Sequence, residues 1–392
     1  MTFFPRHLSP VTCHLSPHHP ITSSPTLLFL TLFLSGWFLI LAASTLLLAT
    51  RRGSRPGPLP QPLPRVSVLI AARNEAAAIG RCLQAIRQLE YPAHLLEVLL
   101  GDDGSTDGTA AVATQAMQGF GGTFRVVPIR ETLGLARGKA NVLAHLTHAA
   151  TTDFFLITDA DIAVPRTWVS SLLAHAQPGI GTVTGLTLVQ GPRLFDKLQG
   201  LDWLISLGLV QVVSDLGRPV TAMGNNMLVT RAAYEAIGGY EALPFSVTED
   251  FELFRATLRH GFGYRILFRP EVLAESLPMP TFGALLHQRR RWSRGVESLP
   301  WWLKGGLLYY AGFYPALLAL GWLAGPLAAG LVLLAKMLLQ GLLAALCFRR
   351  AGRRAPLHLL PLFELYTPAL TAALAVFRLL PLSFDWKGRR YR

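Results

Sequence analysis

The sequence predicts an α/β domain with a mostly parallel sheet, flanked on both sides by transmembrane helices. Three observations predict it. Long apolar runs lie towards both ends of the chain, short apolar runs alternate with helix-periodic stretches in its middle, and the acidic clusters of the middle follow those short runs. Hydrophobic residues make up 51% of the 392 and charged residues only 15%, a balance too oily for a wholly soluble enzyme of this size.

The first 25 residues are rich in His, Pro, Ser and Thr, and His7-Leu8-Ser9-Pro10 is echoed by His14-Leu15-Ser16-Pro17. Such low complexity offers nothing to pack, so 1–25 reads as a disordered leader. Residues 26–49 carry no charge, and at about 1.5 Å of rise each they can cross a hydrocarbon core of about 30 Å. A signal peptide would have a shorter apolar region, roughly 7–15 residues, with its basic residues in front. Here Arg51, Arg52 and Arg55 come after, which favours a retained anchor with a cytoplasmic C-terminal end. The Pro- and Gly-dense stretch 50–65 reads as an extended linker.

Between 66 and 300 the pattern turns globular. Val66 to Ala72, Leu96 to Leu100 and Phe154 to Thr158 read as buried strands, while Ile79, Leu83, Ile86 and Leu89 recur at helical spacing. Strands alternating with helices imply crossover connections and a parallel sheet covered on both faces. In such sheets ligands gather beyond the carboxyl ends of the strands. The polar signals fall there: Arg73-Asn74-Glu75, then Asp102 to Gly108, then Asp159-Ala160-Asp161.

Residues 301–348 hold two further spans with a turn near Gly325-Pro326, and Arg349, Arg350, Arg353 and Arg354 make 349–356 a basic cytoplasmic loop. Residues 357–380 form a third apolar segment, weakened as a span by Glu364, Arg378 and two prolines. The tail 381–392 is basic again, and one crossing between two basic segments violates the positive-inside rule. A re-entrant or interfacial segment resolves this. The net charge of +13 sits beside apolar segments, where anionic lipid headgroups are a simpler partner than nucleic acid. Cys13, Cys82 and Cys347 lack ligand spacing and indicate neither zinc nor a disulfide framework.

Each motif has a structural and a chemical reading. Asp102 and Asp103 open a turn at Gly104 and either cap the next helix or hold the base and ribose of a nucleotide, with Asn74 and Glu75 on the neighbouring turn; two consecutive acids exceed what a cap needs. Asp159 and Asp161 repel each other unless a cation or strong donors lie between them. As hard oxygen ligands with a spare face they suit Mg2+ or Mn2+, which keep substrate phosphates in their shell. Thr248-Glu249-Asp250 either starts a helix or supplies a general base at Asp250. Gln288-Arg289-Arg290-Arg291-Trp292 is either a basic juxtamembrane helix meeting headgroups, or a site where Arg291 neutralises a diphosphate and Trp292 stacks on an acceptor. Lys139 either begins a helix or reaches the phosphates.

Taken together, Asp102-Asp103, Asp159-Ala160-Asp161, Thr248-Glu249-Asp250 and Gln288-Arg289-Arg290-Arg291-Trp292 stand in one order between apolar spans. This combination resembles family 2 glycosyltransferases with the GT-A fold, in the membrane branch that includes ceramide glucosyltransferases, carotenoid glycosyltransferases and processive polysaccharide synthases. The resemblance covers Val66 to about Pro300. It implies that Asp103 with Asp102 holds the uridine of a UDP-sugar, that Asp161 with Asp159 carries the metal, and that Asp250 is the base. It further implies that Gln288, Arg291 and Trp292 shape the acceptor and diphosphate end, with Glu249 and Asn225 of Gly224-Asn225-Asn226-Met227 on the acceptor side. Gly238-Gly239-Tyr240 and the tail Trp386-Lys387-Gly388-Arg389-Arg390-Tyr391 also resemble family segments. The expected activity is inverting transfer to a lipid or glycan acceptor, by a protein integral to the cell membrane with its catalytic domain cytoplasmic. The alternatives are a processive synthase of the same family and a non-catalytic basic membrane scaffold.

Overall fold

The computed structural model describes residues 25–51, 53–297, 299–379, 384–386 and 389–391. The expected leader, up to residue 24, and much of the basic tail lie outside them.

Helix α1 (Pro25–Thr50) leads through an extended stretch to β1 (Val66–Ala72), α2 (Ala76–Arg87), β2 (Leu96–Asp102) and α3 (Thr109–Ala116). Next come β3 (Thr123–Pro128), α4 (Lys139–Ala149), β4 (Phe154–Asp159), the short β5 (Ile162–Ala163) and α5 (Trp168–Leu173). Strands β6 (Ile180–Thr184) and β7 (Leu186–Val189) precede the long α6 (Leu194–Asp215), followed by β8 (Asn226–Thr230), α7 (Arg231–Ala236), α8 (Gly239–Ala242) and α9 (Glu249–Arg259). The domain closes with β9 (Gly263–Ile266), β10 (Leu273–Ser276) and α10 (Phe282–Glu297). The remaining helices are α11 (Trp301–Ala311), α12 (Phe313–Ala324), α13 (Pro326–Arg350) and α14 (Leu360–Leu379). Among the described residues, four helical segments, Pro25–Thr50, Trp301–Ala324, Pro326–Arg350 and Leu357–Phe377, are long and apolar enough to cross a membrane.

The main sheet has seven strands in the order β3-β2-β1-β4-β8-β6-β9. β1 pairs in parallel with β2 and β4, β2 pairs in parallel with β3, and β8 runs antiparallel between β4 and β6. Alternation along β1 explains the covering on both faces. Val66, Val68 and Ile70 pack against Ile79, Leu83 and Ile86 of α2, while Leu69 packs against Leu143 and Leu146 of α4. The order reverses between β1 and β4, which opens a crevice at their carboxyl ends. Because β8 is antiparallel, with Asn226 opposite Thr158, its starting residues Gly224 and Asn225 arrive at the same edge.

A third core joins the domain to the membrane helices. It contains Leu34, Trp37 and Leu41 of α1, Leu201, Leu204 and Ile205 of α6, and Leu343, Ala344 and Cys347 of α13. An ideal Cβ on Gly208 would lie 2.4 Å from Cys347 Sγ, so glycine lets α6 seat on α13. Arginines fasten the junction: Arg350 donates to the carbonyls of Leu48 and Arg51 at 2.9 Å each, Arg51 donates to Asp215 O at 2.9 Å, and Arg353 meets Glu275 of β10 at 2.5 Å. Within the helices Lys336 and Glu364, the latter read in the sequence as weakening its span, form a buried pair at 2.5 Å, and Tyr314 Oη lies 2.9 Å from each. Helix α14 packs along α10 and α6, with Tyr366 beside Phe195 and Phe377 against His287.

Candidate functional site

The carboxyl edge of the sheet opens into one cavity of about 1300 Å³ that continues between α1, α6, α11 and α14. Arg73, Glu75, Asp103, Lys139, Asp159, Asp161, Asn225, Glu249, Asp250, Gln288, Arg291 and Trp292 all line it. Residues as far apart in sequence as Arg73 and Trp292 thus share one space.

The corner after β1 and β2 separates two roles that the sequence left joined. Asp102 Oδ1 accepts from Ser105 N at 3.1 Å, closing its own turn, and Asn74 Oδ1 accepts from Thr106 N at 2.9 Å. Asn74 has φ of 53°, the left-handed region that Asn tolerates better than most residues. Neither Asn74 nor Asp102 lines the cavity; Asp102 closes its own turn, and Asn74 ties that turn to the one after β1. Asp103 is the acid that faces inward. Its carbonyl accepts from Arg73 Nη1, and its carboxylate lies 3.8 Å from the same guanidinium.

At the crevice between β1 and β4, Lys139 Nζ lies 2.6 Å from Asp159 Oδ1 and 3.0 Å from Glu249 Oε1. Burial pulls this ammonium down, but Asp159, Glu249 and Asp250 outweigh it and hold its pKa above the ordinary lysine value. It is therefore a charged bridge between the acids after β4 and those opening α9. A metal fit follows from the donor set. Asp159 and Asp161 both line the cavity and as carboxylates are hard oxygen donors of the kind Mg2+ or Mn2+ takes, although among the described residues no group of three or more His, Cys, Asp or Glu is placed to cage an ion.

Asp250 sits at the start of α9 with both oxygens occupied: Oδ2 accepts from Gly224 N and Oδ1 from Phe251 N, each at 2.8 Å. Burial and neighbouring Glu249 push its pKa up to about 6, against the pull of Lys139 and of the two N–H donors. Gly224 is required by contact, because a Cβ there would lie 2.4 Å from Asp250 Cβ. Thr248 precedes the helix but its side chain makes no capping bond; its hydroxyl pairs with Ser246 instead. Asn225 Oδ1 accepts from Thr187 Oγ1 at 3.0 Å, whereas neighbouring Asn226 is fully buried and serves Trp168, Leu186 and Val272.

Helix α10 presents Gln288, Arg291 and Trp292 to the cavity. Arg289, read in the sequence as a headgroup contact, turns inward instead. It meets Asp202 of α6 at 2.5 Å and lies 5.3 Å and 5.0 Å from the ring centres of Trp203 and Trp292, which are themselves 4.8 Å apart. A desolvated cation over indole faces is a strong anchor. Sequence reading missed Asp202 and Trp203; the visible signal was an acid beside a Trp within the largely apolar stretch of α6.

Residues 64–295 match the sequence profile of a family described as "Glycosyltransferase like family 2". Beta-monoglucosyldiacylglycerol synthase of Synechocystis sp. is 29% identical over 237 residues, 60% of this chain and 48% of the relative. Poly-beta-1,6-N-acetyl-D-glucosamine synthase of Staphylococcus epidermidis is 26% identical over 238 residues, 60% of this chain and 55% of the relative. The matched part thus spans about half the length of these relatives. The fold resembles the mannosyltransferase PcManGT from Pyrobaculum calidifontis, solved in complex with GDP-Man and Mn2+, with a TM-score of 0.57 and 23% identity over 90% of this chain and 98% of that one.

Proposed function

The chain belongs to glycosyltransferase family 2, and from that premise we propose that it transfers one sugar from a nucleoside-diphosphate donor to the hydroxyl of a membrane lipid. One observation carries the lipid acceptor: the cavity that holds Asp103, Asp159 and Asp250 also runs between α6 and three of the apolar spans, those of α1, α11 and α14. An acceptor held there has its hydrocarbon among those helices and its hydroxyl at the acids. We take the donor to be a UDP-sugar, on the resemblance carried by Asp102-Asp103, and the catalytic domain to face the cytoplasm of a cell membrane, since the basic ends of α1 and α13 lie together there.

In this reading Arg73 and Asp103 border the nucleoside and Lys139 and Arg291 offer positive charge to the diphosphate. Asp159 and Asp161 would hold Mg2+ or Mn2+, which when bound supplies charge neutralisation at the phosphates. Asp250 takes the proton of the acceptor hydroxyl as its oxygen bonds to the anomeric carbon, and the bond from that carbon to the diphosphate oxygen breaks. The products are the glycosylated lipid and a nucleoside diphosphate, with the anomeric configuration inverted by a single displacement. Incubation of membranes containing the protein with labelled UDP-sugars and GDP-mannose, followed by lipid extraction and mass analysis, tests this. One added hexose mass on a lipid is expected; a ladder of chain lengths would replace single transfer by processive synthesis, and no labelled product from any donor would sink the proposal.

A further inference from the structure

Helix α11 is unusual in contact as well as composition: none of its residues is buried. It touches α1 at one end, where Tyr309 Oη donates to Phe33 O at 2.6 Å and Tyr310 stacks on Trp37 with ring centres 5.6 Å apart. Nearer the catalytic domain, Ile40, Leu41 and Ser44 of α1 and Leu303, Gly306 and Leu307 of α11 all line the cavity. Ile40 and Leu307, one on each helix, line that cavity and are 58% and 46% exposed. All six side chains are uncharged, and they lie on segments with the length and apolar composition of membrane spans.

We propose that the seam between α1 and α11 is the doorway through which an acceptor lipid's acyl chain passes from the bilayer into the cavity, and that Gly306 sets its width. The inference rests on the lipid-acceptor reading above and adds the route and the residues that form it. Its occupant follows from continuity: residues of α1 and α11, helices with the composition of membrane spans, line the same cavity as Asp250. Glycine at 306 leaves the passage clear, and a Cβ built there meets no heavy atom within 4 Å, so a large side chain can be added without a clash in the helix. Gly305 is equally open but does not line the cavity, which makes it the natural control.

The test uses the full chain in phosphatidylglycerol vesicles containing dioleoylglycerol with a photoreactive diazirine midway along one chain. Leu41 faces the cavity and is only 5% exposed, so an adduct there reports a chain inside the seam, not bulk lipid on the surface. Wild-type protein is expected to be labelled at Leu41, Gly306→Trp to lose at least about nine-tenths of that label, and Gly305→Trp to keep it. Transfer into lipid is expected to fall in parallel in Gly306→Trp with nucleoside-diphosphate binding unchanged. No label at Leu41 in the wild type, or equal label in Gly306→Trp, overturns the doorway. Label that follows the expected pattern in a protein that transfers no sugar supports the doorway and overturns the proposed activity instead.

Discussion

Replacing Asp250 with Asn removes one negative charge from a site whose geometry makes the loss measurable in two ways. The carboxylate accepts an N–H at each oxygen, from Gly224 and Phe251 at 2.8 Å. An amide can accept at only one, so its NH2 faces a second donor, and the mismatch costs about 1–3 kcal/mol. Loss of a general base contributes about 10²–10⁴-fold in rate. We expect Asp250→Asn to lower transfer at least about 10³-fold, combining these effects, with donor binding intact. The wild-type pH profile supplies the second measure. With its pKa raised from 3.8 to about 6, only about a tenth of Asp250 is ionised at pH 5, whereas an unperturbed carboxyl would be more than about nine-tenths ionised. The base form is the active one, so the rate should rise roughly tenfold from pH 5 to a plateau above about 7. Initial rates at low acceptor between pH 4.5 and 8, with donor binding and circular dichroism followed alongside, check both. A profile flat down to pH 5 in folded protein, or an Asn variant within tenfold of wild type, refutes the assignment of Asp250 as base.

Three further outcomes follow from contacts already described. Asp161→Ala should weaken nucleotide-sugar binding in the presence of Mn2+ but leave the metal-free baseline unchanged, read by titration with and without chelator. Gly224→Ala drives a Cβ to 2.4 Å from Asp250 Cβ; such overpacking costs about 1–3 kcal/mol, and turnover should fall at least about tenfold while donor affinity holds, with normal turnover counting against the placement. Lys336→Met alone strands Glu364 and should lower stability by about 3–5 kcal/mol, whereas Lys336→Met with Glu364→Leu should recover most of it; equal melting temperatures in detergent for the two variants would show that the pair is not coupled.

The fold was legible where a single stretch of sequence carries its own signal. Largely apolar runs followed by polar clusters marked β1, β2 and β4, since parallel strands buried on both faces need no polar alternation. The antiparallel insertion of β8 was not legible, because five residues from Asn226 to Thr230 reveal a strand but not its direction or neighbour. Of the site, Asp103, Asp159, Asp161, Asp250, Gln288, Arg291 and Trp292 could be picked out by motif, and all line the cavity. What separated Asp102 from Asp103 was the turn: one closes it and the other points away, a difference of side-chain direction that spacing does not encode. Pairs such as Asp202 with Arg289 and Lys336 with Glu364 join residues 87 and 28 positions apart, and each partner alone reads as an anomaly in its own segment.

The arginine fastenings at the domain junction set a height. Arg51, Arg350 and Arg353 bind the ends of α1 and α13 to α6 and β10, so the catalytic floor is held at one height against those helices. With Asp250 as base, the enzyme becomes a depth gauge: a hydroxyl carried close beneath the surface meets the carboxylate, while one raised on a bulky headgroup overshoots it. Selection among lipids would then depend on how far each alcohol stands from its own hydrocarbon, before any contact with the rest of the headgroup is made.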